Sequence, residues 1–196
     1  MSQAGFLSRD ALHGLGLRAV GNDVSIDATA LLYGADRISL GSHVRIDAGA
    51  VLSAGEGGIA IGDHVHISVR VFITGAAKIE VRSFAGVSAG TAIFSSNDDY
   101  RGGWLTGPTV PDDLRNVTSE PVVIDEHAIV GAGCVVLPGV TIGQGAAVGA
   151  LTCVRRDVAP FAVVAGPHGE VIGERNRLRL LELERELRER EGGQPL

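Results

Sequence analysis

Large aromatic side chains are scarce in this chain: Phe, Trp and Tyr make up 4% of its 196 residues, and there is a single Trp, Trp104. Ordinary sandwiches and helical bundles fill their cores with large side chains, so the shortage disfavours both. Only two cysteines occur, Cys134 and Cys153, which excludes a disulfide framework and leaves two buried free thiols as the expectation. No apolar run approaches the roughly 18 residues that a membrane-spanning helix needs, so no membrane insertion is expected. The opening MSQAGFLSRD lacks the basic-then-apolar layout of a signal peptide. A net charge of −6 offers no basic footprint for a nucleic-acid partner. These absences together imply a cytoplasmic protein of bacterial type.

Glycine, at 28 residues, and small aliphatics are abundant instead, and they are periodic. From Val20 an aliphatic recurs every six positions: Val20, Ile26, Leu32; Leu40, Ile46, Leu52; Ile61, Ile67, Ile73; Val81, Val87, Ile93. The rhythm returns as Ile124, Val130, Val136, Ile142, Val148 and Val154. Six residues advance an α-helix by about 600°, which would spread the apolar stripe around the cylinder, and a strand alternates every two. A chain bent every six residues satisfies the pattern, with three short strands per turn and one aliphatic per side directed inward. The expected fold is an all-β solenoid, a left-handed parallel β-helix of hexapeptide repeats. Small residues follow the aliphatics where the backbone turns.

The ends depart from the period. Ser8 before RDALHGLG is an N-cap signal with Gly14 and Gly16 as stops, so a short helix is expected within an N-terminal cap, 1–19. GERNRLRLLELERELRERE places Leu180, Leu183 and Leu187 on one face amid alternating charges, an amphipathic helix within 173–196. The solenoid between them, 20–172, is interrupted by a loop at 95–121 that has no period, four aspartates between Asn97 and Val117, and Trp104. Loops of this length inside a compact domain are usually functional or disordered.

Within the second block, VGAG at 130–133, LPGVTIG at 137–143, VGA at 148–150 and VRRDVAPFAVVAG at 154–166 resemble the coenzyme A-dependent hexapeptide acyltransferases. The resemblance is to galactoside and maltose O-acetyltransferases and to the sugar acetyltransferases of polysaccharide biosynthesis. HVHIS, DDYRGGWLTGPTVPDDLRNV and ERNRLRLLELERE extend it nearly end to end. The resemblance implies a homotrimer whose three active sites lie in grooves between neighbouring columns, acetyl-CoA as co-substrate without a metal, and a sugar, saccharide or nucleotide-sugar acceptor. It also implies that Gly131, Ala132, Gly149 and Ala150 flank the pantetheine arm, since a thin arm approaches a backbone only where side chains are small. The adjacent Arg155 and Arg156 are suited to the phosphates. AGPHGEVI departs from the usual AGNPAKVI, with Glu170 where a basic residue is common.

Acyl transfer needs a base for the acceptor proton and donors for the oxyanion. Galactoside-type relatives take that base from a His at the start of the extruded loop, where this chain has SNDD. The resemblance instead aligns His66 with the acceptor pocket and Ser68 with a substrate-binding Asn. His66 is therefore the expected base, with Asp98 or Asp99 brought over by the loop to orient it or to bind the acceptor, and Asp98 itself as the alternative base. Tyr100 and Trp104 are the expected acceptor contacts, Trp104 as a flat face for a sugar ring. His43, His64 and His127 share one phase of the hexad and are expected to stack on the outside of the column. The favoured activity is O-acetylation of a sugar hydroxyl; N-acetylation of a nucleotide-linked amino sugar and a non-catalytic trimeric scaffold are the alternatives.

Overall fold

The computed structural model describes residues 5–192; residues 1–4 and 193–196, which fall in the expected cap and tail, lie outside the described residues. Every hexad becomes a short strand, and successive strands turn into three different sheets, so that each sheet receives one strand per coil. Ile38–Leu40, Arg45–Ile46 and Val51–Ala54 exemplify the first, second and third sheets of one coil. Parallel pairing stacks the coils in strict register. Leu40, Ile61, Val81, Ile124 and Ile142 align in the first sheet. Ile46, Ile67, Val87, Val130 and Val148 align in the second, and Leu52, Ile73, Ile93, Val136 and Val154 in the third.

These columns are the core. Ile46, Ile67, Ile73, Ile93, Ile124 and Ile142 are fully buried, each contributing about 1.5–3 kcal/mol over exposure. A second inward position lies two residues before each of these: Ile38, Val44, Ala50, Ile59, Val65 and Val71 are buried too. In the upper coils this position also takes Thr91, Cys134 and Thr152, whose side chains donate to the carbonyls of Gly131, Gly149 and Gly149. Cys134 is thus buried as expected, while Cys153 is only half-buried on an outer face. In the first coil Val20 and Leu32 are half-buried, because that coil has a neighbour on one side only.

The lower end is covered by α1, Arg9–His13, with Ser8 accepting from the Ala11 N–H and Gly14 closing it. At the other end Glu170–Glu174 folds back antiparallel on Ala162–Ala165 and leads into α2, Arg177–Gly192. The leucine face, expected to pack on the column or on a neighbouring subunit, is partly open in the single chain: Leu180 is half-buried, and Leu183 and Leu187 remain 44% and 37% exposed. The helix meets the column through Glu184, Arg188 and Glu191. No described helix is long and apolar enough to cross a membrane.

One close approach between coils is at Gly75, where φ is +151° and an added Cβ would stand 2.7 Å from the Ser95 amide nitrogen. Gly75→Ala is therefore expected to destabilise by about 2–4 kcal/mol, through strain and overpacking together. A thermal melt of the variant checks this, and an unchanged midpoint would contradict it.

Candidate active site

The edge where the second sheet turns into the third carries one residue per coil, immediately after each inward aliphatic. Reading up the column above Asp27 of the first coil, these are Asp47, Ser68, Ser88, Gly131 and Gly149. The amide of each donates to the next coil, onto Ile67, Val87, Val130, Val148 and Val164 at 2.9, 3.0, 2.9, 2.8 and 2.7 Å. The edge is chemically graded: a carboxylate at the bottom, two hydroxyls in the middle, bare backbone at the top. Ser68, expected as a substrate contact, and Gly131 and Gly149, expected beside coenzyme A, stand on this one line. Ser88, between them, was not singled out in the sequence, although it holds the same hexad phase as Ser68 one coil on.

His66 projects from the outer face of the second sheet two residues before Ser68 on that edge. Its Nε2 lies 2.7 Å from Asp47 Oδ2, and Arg45 Nε donates to Asp47 Oδ1 at 2.7 Å. The carboxylate beside His66 within the chain is therefore Asp47, and neither Asp98 nor Asp99. Burial pushes the Asp47 pKa up, but the hydrogen bonds from His66 and Arg45 outweigh it and hold the carboxyl below its ordinary 3.8. An ionised carboxylate only accepts, so Nε2 carries the imidazole proton and Nδ1 keeps its lone pair. The next coil pairs Gly86 with His66. A Cβ at Gly86 would meet nothing within 4 Å, so the outer face beside the ring is open to a ligand.

The loop is a self-structured arm. Ser96–Asn97 and Thr118–Ser119 pair antiparallel and pinch its base. Asp99 organises the tip: its carboxylate accepts from the amides of Arg101, Gly103 and Trp104 at 2.8, 2.7 and 3.0 Å. The Arg101 amide above all, with those of Gly103 and Trp104 and against the opposing effect of desolvation, holds this carboxyl below the ordinary range, which suits shaping the loop better than accepting a proton. Asp98 accepts one weaker bond from the Gly107 amide at 3.3 Å and, with Asp99, Tyr100 and Thr106, lines a small cavity of about 180 Å³. Tyr100 and Trp104 are 89% and 49% exposed. The arm leaves the column after the third sheet, at a different edge from the one carrying Ser68 and Gly131, so one chain does not bring it to His66.

At Gly131 and Gly149 side chains are excluded by the stacking itself: a Cβ would lie 2.6 Å from the Ala150 nitrogen in one case and 2.9 Å from the Ala165 Cβ in the other. With their amides committed to the coil, these glycines offer an arm close approach, and Ala132 and Ala150 are the exposed neighbours beside them. Arg155 and Arg156 line a cleft of about 440 Å³ at the C-terminal end, floored by Val154, Val158 and Val164. His168 and Glu170 share it, with His168 Nδ1 at 3.4 Å from Arg155.

The fold is shared with known proteins over almost the whole chain. The dTDP-4-amino-4,6-dideoxy-D-glucose acyltransferase of Escherichia coli is 42% identical over 179 residues, covering 91% of this chain and 93% of the relative. AntD, an N-acyltransferase from Bacillus cereus solved with dTDP and 3-hydroxybutyryl-CoA, is 33% identical, with a TM-score of 0.93 over 97% of this chain and all of that one. A variant of AntD in complex with dTDP-4-amino-4,6-dideoxyglucose and coenzyme A superposes with a TM-score of 0.91 over 95% of this chain and 99% of that one, at 33% identity. No protein-family model matches the chain. The fold and the similarity together define an enzyme: the chain belongs to the acyltransferases built on the hexapeptide β-helix.

Proposed function

We propose that this enzyme transfers an acyl group from an acyl-CoA thioester to the amino group of a dTDP-linked 4-amino-4,6-dideoxyhexose. The observation that carries the reading is the similarity to the Escherichia coli acyltransferase over 91% of the chain, a span that includes the arm. The reading replaces the hydroxyl acceptor favoured by the sequence motifs with the amine that was its alternative.

Coenzyme A supplies the activated acyl group, its pantetheine running past Gly131, Ala132, Gly149 and Ala150 and its phosphates meeting Arg155 and Arg156. The acceptor lies lower on the same edge, against Ser68 and Ser88. As the amine attacks the thioester carbonyl it must shed a proton, and His66 Nδ1, held in the right tautomer by Asp47, takes it. The C–S bond then breaks and the thiolate leaves, to be protonated by the imidazolium. Asp98, Tyr100 and Trp104 of a neighbouring subunit's arm complete the acceptor pocket.

A homotrimer is part of the reading. The outer face of the third sheet carries an apolar row, Leu31, Val51, Phe72, Ala92, Val135 and Cys153, aligned over the full height of the column. The corresponding row of the first sheet is mixed, with Ser39, Glu80 and Thr141 alternating with Ala19, Ala60 and Val123 and no side chain larger than valine among the apolar ones. An apolar face of this kind packs against its own copies.

A thiol-release assay with acetyl-CoA and 3-hydroxybutyryl-CoA, against dTDP-4-amino-4,6-dideoxyglucose, dTDP-glucose and a simple galactoside, tests the proposal. Release is expected with the amino sugar alone. Release with a galactoside and none with the amino sugar would restore the hydroxyl acceptor and refute this one.

A further inference from the structure

At the corner between the first and second sheets four rings lie one above another. Centroids are 4.5 Å apart for His43 and His64, 4.8 Å for His64 and Phe84, and 4.9 Å for Phe84 and His127, with interplanar angles of 12°, 5° and 10°. All four residues have left-handed backbones, with φ of 58°, 55°, 63° and 59°. Phe84 shows that a carbon ring meets the packing requirement at this corner. The ring nitrogens at 43 and 64 answer to something else.

Helix α2 runs along this stack and delivers one side chain to each of three levels, those of His127, Phe84 and His64. Glu184 Oε2 meets His127 Nε2 at 2.7 Å, the Arg188 guanidinium lies 5.0 Å from the centre of the Phe84 ring, and Glu191 Oε1 stands 3.3 Å from His64 Nε2. Seven helical residues rise about 10.5 Å and two coil steps about 9.6 Å, so the helix and the column stay in phase from Glu184 to Glu191. Among these pairs, His127 and Glu184 close to a direct hydrogen bond, whereas His64 and Glu191 stand further apart beside a second imidazole.

We propose that His43, His64 and Glu191 bind a divalent transition metal ion of the zinc, cobalt or nickel type. One ligand atom from each lies within 4.8 Å of the other two. His43 Nδ1 faces Asp23 Oδ2 at 3.6 Å, which leaves Nε2 for the metal and gives the ligand the outer carboxylate that metal-bound imidazoles usually have. Two imidazoles and one carboxylate suit ions of intermediate softness rather than magnesium or calcium. Bonds of about 2.0–2.1 Å place tetrahedral ligand atoms about 3.3 Å apart, so one ring must turn to converge. His43 is the terminal ring of the stack, holds a neighbour on one face only, and is 41% exposed at its side chain, so it can turn. The ion would fasten the end of α2 to the coils. It lies at a different edge from Ser68 and Gly131 and takes no part in acyl transfer, which was expected to need no metal.

The test is titration of the tag-free, chelator-treated full chain with Co²⁺, followed by visible absorption and thermal denaturation, beside His64→Phe, His43→Phe and Glu191→Gln. The phenylalanine variants extend the ring stack that Phe84 already tolerates, so they remove nitrogen without removing packing. Wild type should bind one equivalent per chain with a ligand-field band and a raised melting temperature. Each variant should weaken binding at least tenfold and lose the thermal shift, while acyl transfer is unchanged. Absence of saturable binding in the wild type, or binding that all three variants retain, would overturn the site and leave an aromatic stack alone.

Discussion

Replacing His66 with alanine is expected to lower kcat by about 10²–10⁴-fold, the span for losing a positioned base, while coenzyme A affinity stays unchanged. The two readouts separate because His66 and the coenzyme A residues occupy different coils: Gly131 and Gly149 follow Val130 and Val148, two and three steps above Ile67 in the second sheet. Asp47→Asn should show the same pattern with an intact ring. An amide can present its N–H to Nε2, which moves the imidazole proton to Nδ1 and removes the lone pair that accepts from the amine. A loss of at least about 10-fold in kcat with little change in KM is expected. The pH profile adds a check. Asp47 has a folded pKa below 3.8, so its pairing contributes stability above that ordinary value and is lost only as pH falls through the depressed one. Loss of activity between pH 5 and 7 must therefore arise from a group other than Asp47. Full activity in His66→Ala would move the base to Asp98, whose carboxylate has only the Gly107 amide as a bond.

The hexad made the solenoid legible because its inward aliphatics are large and strictly spaced. The second buried position two residues earlier was less legible: it is large at Ile38, Val44, Ile59, Val65 and Val71 but small or polar at Ala50, Ala85, Thr91, Ala128, Cys134 and Thr152, so it shows no uniform hydrophobic signal. The polar ones are satisfied by carbonyls of the adjoining edge. His66 was reachable through family resemblance, but its partner Asp47 was not, being 19 residues earlier. Coil length holds the clue: Asp47 follows Ile46 as Ser68 follows Ile67, so the two occupy equivalent places on adjacent coils. Helix α2 was legible only in part. Its leucine spacing is conspicuous, yet its contacts with the column include Glu184, Arg188, Glu191 and Arg177, residues that in an isolated helix read as solvated charge.

The nature of the acceptor was the least legible feature. The motifs that carry the family resemblance sit in the upper coils, beside the proposed coenzyme A path, and those coils are indifferent to what receives the acyl group. An amine and a hydroxyl both need a neighbouring base, and Ser68 and Ser88 can hydrogen-bond either. The information lies in the arm and in the outward residues of the lower coils, whose identities the hexad does not specify.

Excising the arm is accordingly the most severe test of where the acceptor binds. Asn97 and Thr118 face each other across an antiparallel pair, so residues 98–117 can be replaced by Asn-Gly, which favours a two-residue hairpin. The column should survive, because the residues at the arm's base that pack inward, Ser95 and Val122, are retained with their bonds to Ala77 and Lys78. Coenzyme A binding should survive as well. Acceptor KM is expected to rise by about 10²-fold or more, corresponding to at least about 2.7 kcal/mol at 1.4 kcal/mol per decade. Trp104→Ala alone should account for up to about tenfold of this, the upper range for one aromatic contact. If the shortened enzyme acylates its acceptor with unchanged KM, the edge from Asp47 to Ser88 binds the acceptor unaided. If it instead falls to monomers, the exposed Trp104, Leu105 and Leu114 serve the contact between subunits and the arm is a clamp.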